Sequence, residues 1–437
     1  MAPKLRLKYC ANLVATLNKT IENDDFIARH RLSPKAFVRK RRLTFKTMIL
    51  LLINMLKGSI QDELDHFFKA VNHSEVCERF VTNSAFSQAR KNLNPLAFVE
   101  LNNVLVREFY NTFPAKSWQG FTLLAVDGST IQVPKNDDNL KHFGAWRTAA
   151  GPDCPMARIA YLFDTLNKIT VAAIADPKAN GEREMASELF LNLRPMDLVL
   201  LDRGYPAFWL FKLIAATGSH FCARISDKLW SQVKAFTLSK AKDDVVTFHP
   251  TWQSRKACRE LGLDEDPMRL RLIRVVLESG EAEILITSLL DEQAYPTNCF
   301  GELYHLRWPV EEEYKLMKHR LELENFTGKS VLSVYQDFYA KVLSSNIAAA
   351  IAHPCQDQVH KKTAARKYKY QINFTQLLSK MKDSIILLFE REQLIDLIRK
   401  IMNTAIRTIE PIRGGRKYPR PKKVATKRFR QTYKPIR

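Results

Sequence analysis

Near residue 120 the hydrophobic pattern of the chain changes period, and this change constrains the fold more than any other feature. The first ~115 residues carry apolar side chains at helical spacing. Runs of strand length follow: Phe121 to Val126, resumed over Ile131 to Val133, then Ala157 to Phe163 and Ile169 to Ile174, the last two joined by Asp164-Thr-Leu-Asn167. Residues 182 to 193 read as helix and Asp197 to Leu201 as strand. Pro206 opens a helix to about Ala216, and Ser219 to Ile225 is a further strand. Three strands, helix, strand, helix, strand predict a mixed α/β sheet. Asp127 and Asp202 stand at the ends of the first and fourth strands, where a sheet brings distant acids into one site. Gly128 and Gly204 beside them would let the backbone turn and a bulky ligand approach closely.

Other patterns flank this core. Residues 46 to 70 read as one long helix, apolar early and amphipathic later. Ser84 is the expected cap of a short helix that runs to Arg90 and Lys91, and Asn94-Pro95 starts the next. Two helices joined by an Asn-rich turn fit either a helix-turn-helix or a plain helical hairpin. Arg90, Lys91 and the run Arg39-Lys-Arg-Arg42 favour the nucleic-acid reading. Residues 226 to 289 hold β-rich pieces (Val245 to Phe248, Leu270 to Leu277, Glu283 to Ser288), and amphipathic helices return to about residue 409. Beyond Glu410 there is no acid, and arginines and lysines from Arg413 to Arg430 suggest an arm lying along a polyanion.

Charge supports that partner. The chain has 68 basic against 46 acidic residues, a net charge of +22. Such an excess favours phosphate-rich ligands through counterion release. The sequence argues against a membrane partner, because the most apolar run, Met48 to Leu56, is much shorter than the ~20 residues a span needs. Met1-Ala-Pro-Lys lacks a signal-peptide pattern, and seven scattered cysteines without a close pair fit a reducing cytoplasm.

The segment from Tyr304 to Lys318 carries the chemistry. Arg307, Glu311 and Lys318 follow Tyr304 at offsets of 3, 7 and 14, close to one stripe of an α-helix. Pro309 lies inside it, so the helix starts or kinks there and the stripe becomes two short faces meeting. A carboxylate among cations and a phenol suits a surface that holds a metal ion and grips phosphates. With Asp127 and Asp202, it points to phosphoryl transfer on DNA, in which convergent carboxylates hold two divalent ions.

These residues resemble the bacterial DDE transposases of the insertion-sequence-four group, whose Tyr-x2-Arg-x3-Glu-x6-Lys signature is matched at every spacing by Tyr304, Arg307, Glu311 and Lys318. Asp127-Gly-Ser-Thr, Asp202-Arg-Gly-Tyr, Leu323-Glu-Asn-Phe326 and Gly415-Arg-Lys-Tyr-Pro419 also resemble the group, over nearly the whole chain. The resemblance implies a ribonuclease-H-like core with a β insertion. Asp127, Asp202 and Glu311 would bind two Mg2+ ions, with Mn2+ able to substitute. Tyr304, Arg307 and Lys318 would hold phosphates near the cleaved end. Arg203, Arg90 and Lys91 join them as expected DNA contacts. It also implies cut-and-paste transposition through a hairpin, by a homodimer on double-stranded DNA (transposon ends and target), in the bacterial cytoplasm at the nucleoid. Some relatives stack a tryptophan of the insertion on a flipped base. The matching segment Glu283 to Thr287 has none, and Trp230 and Trp252 are expected in the core.

The expected organisation is therefore a helical DNA-binding domain over 1–118, a ribonuclease-H-like core over 119–225 and 290–350, a β-rich insertion over 226–289, and a helical C-terminal region with a basic tail over 351–437. Two other readings stay open: a nuclease that no longer transposes, and a non-catalytic DNA-binding regulator. The second leaves three acids in a basic chain without a purpose.

Overall fold

Asp197-Leu-Val-Leu-Leu201 is apolar after its first residue, and all five positions are buried. Such a run can be satisfied only at the centre of a sheet covered on both faces. The computed structural model describes residues 3–39, 41–148, 151–227, 229–277, 280–390 and 393–413. The basic arm beyond Arg413 lies outside the described residues. The strands of the large sheet are β1 (Thr122–Gln132), β2 (Ala145–Thr148), β3 (Gly151–Asp164), β4 (Ile169–Asp176), β5 (Asp197–Leu201), β6 (His220–Ile225), β7 (Asp243–Phe248), β8 (Met268–Val276) and β9 (Ala282–Thr287), and β10 (Lys369–Ile372) pairs with β11 (Ile409–Ile412) in a second, two-stranded sheet.

The chain divides into two units built from segments distant in sequence: Met1–Ala115, Ile131–Ala157 and Lys315–Arg437 in one, Lys116–Thr130 and Arg158–Tyr314 in the other. The second unit holds the expected mixed α/β sheet, ordered β4–β3–β1–β5–β6–β9–β8–β7. β1, β5 and β6 run parallel, with Ala125 opposite Leu200 and Leu200 opposite Cys222. β4 is antiparallel to β3, and β9, β8 and β7 are antiparallel neighbours that follow β6. Strands from residues 226–289 thus extend the same sheet.

β2 is not among the expected strands, β3 starts earlier than Ala157, and β1 is longer than expected. β1 does not end at Val126 but runs through Asp127-Gly128-Ser129-Thr130 to Gln132, its side chains turning from buried to half-buried at Asp127. The polar tetrapeptide marks where the strand leaves the packed core, not a turn.

The first unit is mainly helical. The single helix expected over 46 to 70 is two, Phe45–Ile53 and Ile60–Asn72. Backbone groups at the break find partners elsewhere. The N–H groups of Lys57 and Gly58 donate to Glu63 Oε1, Asn54 exchanges two hydrogen bonds with Asp383, and Ser59 caps the second helix. The cap of the Asn83–Arg90 helix is Thr82, which accepts from the Ala85 N–H, and Ser84 lies inside the helix.

The longest described helix, Val331–Ala352, is buried on nearly all sides, and it carries buried polar residues, among them Asp337, Lys341 and Asn346, between its apolar ones. Its buried polar residues are hydrogen-bonded, as burial requires. Lys341 donates to the carbonyls of Glu322 and Asn325, Ser344 to that of Ile53, and Asn346 to the Asn102 side chain. No described helix is long and apolar enough to cross a membrane.

Candidate active site

Asp127 and Asp202 lie two residues and one residue past the last buried leucines and alanines of neighbouring parallel strands. Continuing the register from Ala125 opposite Leu200 by two positions sets them side by side. Parallel strands lie about 4.8 Å apart, so the two carboxylates share one edge of the sheet. Asp127 Oδ1 accepts from the Gly128 N–H at 3.0 Å, and Tyr314 donates its hydroxyl to the Asp127 carbonyl at 2.6 Å.

Pro309 divides the signature segment. Tyr304 belongs to the Cys299–His305 helix, Arg307 to the link, and Glu311 to the first turn of the Pro309–His319 helix. The single stripe is therefore two faces meeting at Arg307, because proline cannot continue the preceding helix but suits the start of the next. Tyr304 donates its hydroxyl to the Leu201 carbonyl and to Asp202 Oδ1, both at 3.3 Å. Arg307, only 7% exposed, donates to Glu311 Oε1 at 2.6 Å. Lys318 stands seven residues beyond Glu311 on the same helix and falls in the other unit.

The charges are coupled. Burial pushes the Asp127 carboxyl up to about 6; the Gly128 N–H and Arg307 oppose this, and the nearby Glu311 and Asp202 reinforce it. Burial acts on Asp202 in the same direction but is outweighed by the Arg203 N–H, Arg224, Arg307 and Tyr304, so its carboxyl lies below the usual 3.8. Two acids in one field are thus held in different states of readiness, one reluctant to ionise and one firmly ionised.

Two neighbours, Arg224 and Glu182, were not singled out in the sequence. Arg224 on β6 reaches Asp202 at 3.1 Å and pairs with Glu283 on β9. Its signal was a cation in the otherwise buried strand His-Phe-Cys-Ala-Arg-Ile. A Cβ on Gly128 would stand 3.3 Å from the Glu182 carboxyl carbon and 3.4 Å from the Tyr205 hydroxyl. Gly128 thus makes room for these two side chains, and neither it nor Gly204 adopts positive φ. The Tyr205 hydroxyl is buried without a hydrogen-bond partner among the described residues, and the charges of Asp127, Glu182 and Asp202 act on it.

Other expected contacts are placed as follows. Arg203 and Lys91 are exposed. Arg90 is not at a surface: it is 4% exposed and binds Asp337 at 2.9 Å, with Gln336 and Thr327 completing its partners. Trp230 packs beside Phe211 and Phe248 as expected, but Trp252 is 72% exposed at the start of its helix.

The donor set fits a hard divalent cation, which prefers carboxylate oxygens. Arg307 now supplies positive charge to the acids, and the orphaned Tyr205 hydroxyl would be satisfied by water or phosphate at such a site. No three acids, histidines or cysteines among the described residues are spaced as a ready-made metal cage.

Comparison with known families matches residues 118–347, just over half of the chain, to the transposase DDE domain. The chain belongs to the DDE transposases. The transposase is similar to the transposase InsG for insertion sequence element IS4 of Escherichia coli strain K12, at 26% identity over 317 residues, covering 71% of this chain and 70% of that one. Together these matches place it in the IS4 family as a DDE-type transposase, an enzyme acting on DNA. Among solved structures, the piggyBac transposase synaptic complex with hairpin DNA aligns with 90% of this chain and 85% of its own, at 11% identity. Its TM-score of 0.43 is too low to carry an argument.

Proposed function

We propose that the transposase moves an insertion sequence by cut-and-paste phosphoryl transfer, with Asp127, Asp202 and Glu311 holding two Mg2+ ions for which Mn2+ can substitute. The observation that carries this reading is the meeting of the three acids in one electrostatic field with Arg307 among them. When bound, two such ions would supply an activated oxygen nucleophile and charge neutralisation at the leaving oxygen. Asp202, firmly ionised, would be ready to hold a cation, and Asp127 would join it where the cation's charge offset the cost of its burial. Tyr304, Arg307 and Lys318 hold phosphates at the cleaved end, and Arg203 extends the contact from the surface beside Asp202.

The order β4–β3–β1–β5–β6, antiparallel then parallel, supports a ribonuclease-H-like core, with residues 226–289 inserted between the second aspartate and the glutamate. The reaction sequence implied is a nick by water, attack of the freed 3′ hydroxyl on the opposite strand to close a hairpin, opening by a second water, and joining to target DNA. It runs in a homodimer on DNA, in the cytoplasm at the nucleoid.

The test is a cleavage assay with the purified chain, Mg2+ and a duplex carrying its own element's end, resolved for nicks, hairpins and joined products. The wild type should give joined products, and Asp202→Asn and Glu311→Gln should give none. Nicks without joining would instead describe a nuclease, and binding without cleavage a regulator.

A further inference from the structure

Asn83–Arg90 is a short helix with two unlike faces. Phe86 and Arg90, one turn apart, are buried, and the Arg90 guanidinium lies over the Phe86 ring while it binds Asp337. This ion pair fixes the rotation of the helix about its axis. The opposite face therefore points outward in one orientation, with Ser84, Ser87, Gln88 and Lys91 exposed and no acid among them. Gln88 donates to the Ser84 hydroxyl at 3.4 Å, so the two side chains stand together one turn apart.

Alongside this helix runs a groove of about 900 Å³ whose second wall is formed by residues 33–39 and 41–43. This wall is tied to the end of the helix by the Leu32 N–H, which donates to the Asn92 carbonyl, and Phe37 anchors it edge-on against Phe45. Lys35, Arg39, Arg41 and Arg42 line it, all exposed, and Arg42 is held over the Phe80 ring at 4.4 Å. None of the described residues lining the groove is acidic. An interior ion pair on one face of the helix, and a cation-lined trough beside its other face, make a surface built for a polyanion of fixed shape.

An α-helix with its side chains is about 10–12 Å across, which matches the width of the major groove of duplex DNA. Serine and glutamine are hydrogen-bonding readers of base edges, glutamine pairing in two places with adenine. Single-stranded nucleic acid would call instead for a row of exposed aromatic rings to stack on. On the outward face of this helix there is none.

We propose that this face reads the transposon end. Ser84, Gln88 and Lys91 meet base edges in the major groove, and Lys35, Arg39, Arg41 and Arg42 hold phosphates of the strand beside it. The proposal rests on the DNA-transposase reading and adds to it a place where the sequence of the element's end is recognised, apart from the acids that do the cutting.

The test is binding without chemistry: fluorescence anisotropy in EDTA, with the full chain, on a duplex carrying the terminal repeat that flanks its own coding region and on a scrambled duplex of equal length. Gln88→Ala should weaken the terminal-repeat duplex on the order of tenfold and leave the scrambled one unchanged. Arg39→Ala with Arg41→Ala should weaken both duplexes and lower the salt slope by about 0.9 for each phosphate no longer neutralised. All three positions are exposed, so the fold should persist. Retention of full discrimination by Gln88→Ala, or an unchanged salt slope in the arginine variant, overturns the proposal. A chain that discriminates through Gln88 yet never cuts with Mg2+ would sink the proposed chemistry and leave this inference standing.

Discussion

Replacing Asp127 by Asn should make the metal-free transposase more stable at neutral pH, although the position is conspicuously polar. Its carboxyl titrates near 6 in the folded chain, against an ordinary 3.8, because burial and the neighbouring acids oppose its ionisation. Below 3.8 the group is protonated in both the folded and the unfolded chain and does not affect their balance. Between 3.8 and about 6 the folded chain holds a proton that the unfolded chain releases, so stability falls as pH rises. Above 6 the penalty is complete, at about 3 kcal/mol. Asparagine resembles the protonated acid and can still accept from the Gly128 N–H, so a gain of about 1–3 kcal/mol is expected. Urea unfolding in EDTA at about pH 7.5 and about pH 4 measures it. The variant should exceed the wild type at the higher pH and match it at the lower. A loss at the higher pH, or an equal gain at both, would refute the reasoning. Added Mg2+ should reverse the order, because it stabilises only the chain that keeps its ligand.

Cleavage by the wild type should fall as pH drops through about 6, where Asp127 takes up its proton, and the fall should move to lower pH as Mg2+ is raised; a pH profile at two Mg2+ concentrations shows this. Arg90→Ala should destabilise the chain by about 3–5 kcal/mol by leaving Asp337 buried without its partner, and Asp337→Ala in the same chain should recover part of the loss on denaturation. Gly128→Ala should cost about 1 kcal/mol of stability, since Glu182 is half in solvent and can swing aside, while cleavage drops more steeply as Glu182 and Tyr205 are displaced.

The parts of this fold that were legible in sequence are those whose partners are local. β5 could be read because an apolar run of strand length is bounded by Asp197 and by Asp202-Arg203-Gly204. The break at Pro309 could be read because proline decides it alone. Where the deciding partner is distant, the sequence misled. At the break in the helix over 46 to 70, the Asn54 side chain bonds Asp383, far along the chain, while the nearer Glu63 takes the N–H groups of Lys57 and Gly58. Arg90 looked like a surface cation next to Lys91, yet Asp337, far along the chain, draws it inside. β1 was split at Asp127 because Asp-Gly-Ser-Thr is turn-like, whereas Tyr314 and the neighbouring strand hold it extended.

The candidate site follows the same rule. Asp127, Asp202, Tyr304, Arg307 and Glu311 were nameable from spacing and strand position. Arg224 and Glu182 were not, because only the folded chain carries them to the site. Trp252 was expected inside as an aromatic among apolar segments. Its helix turns it outward instead.

The central claim is that Asp127, Asp202 and Glu311 hold the metal ions of the reaction, and Fe2+-directed backbone cleavage tests it most directly. Fe2+ bound in place of Mg2+, with ascorbate and peroxide, cuts the polypeptide beside its ligands. The account predicts cuts close to residues 127, 202 and 311, suppressed by excess Mg2+ and lost in Asp202→Asn. Cuts elsewhere, or cuts at these places that Mg2+ does not suppress, would contradict it.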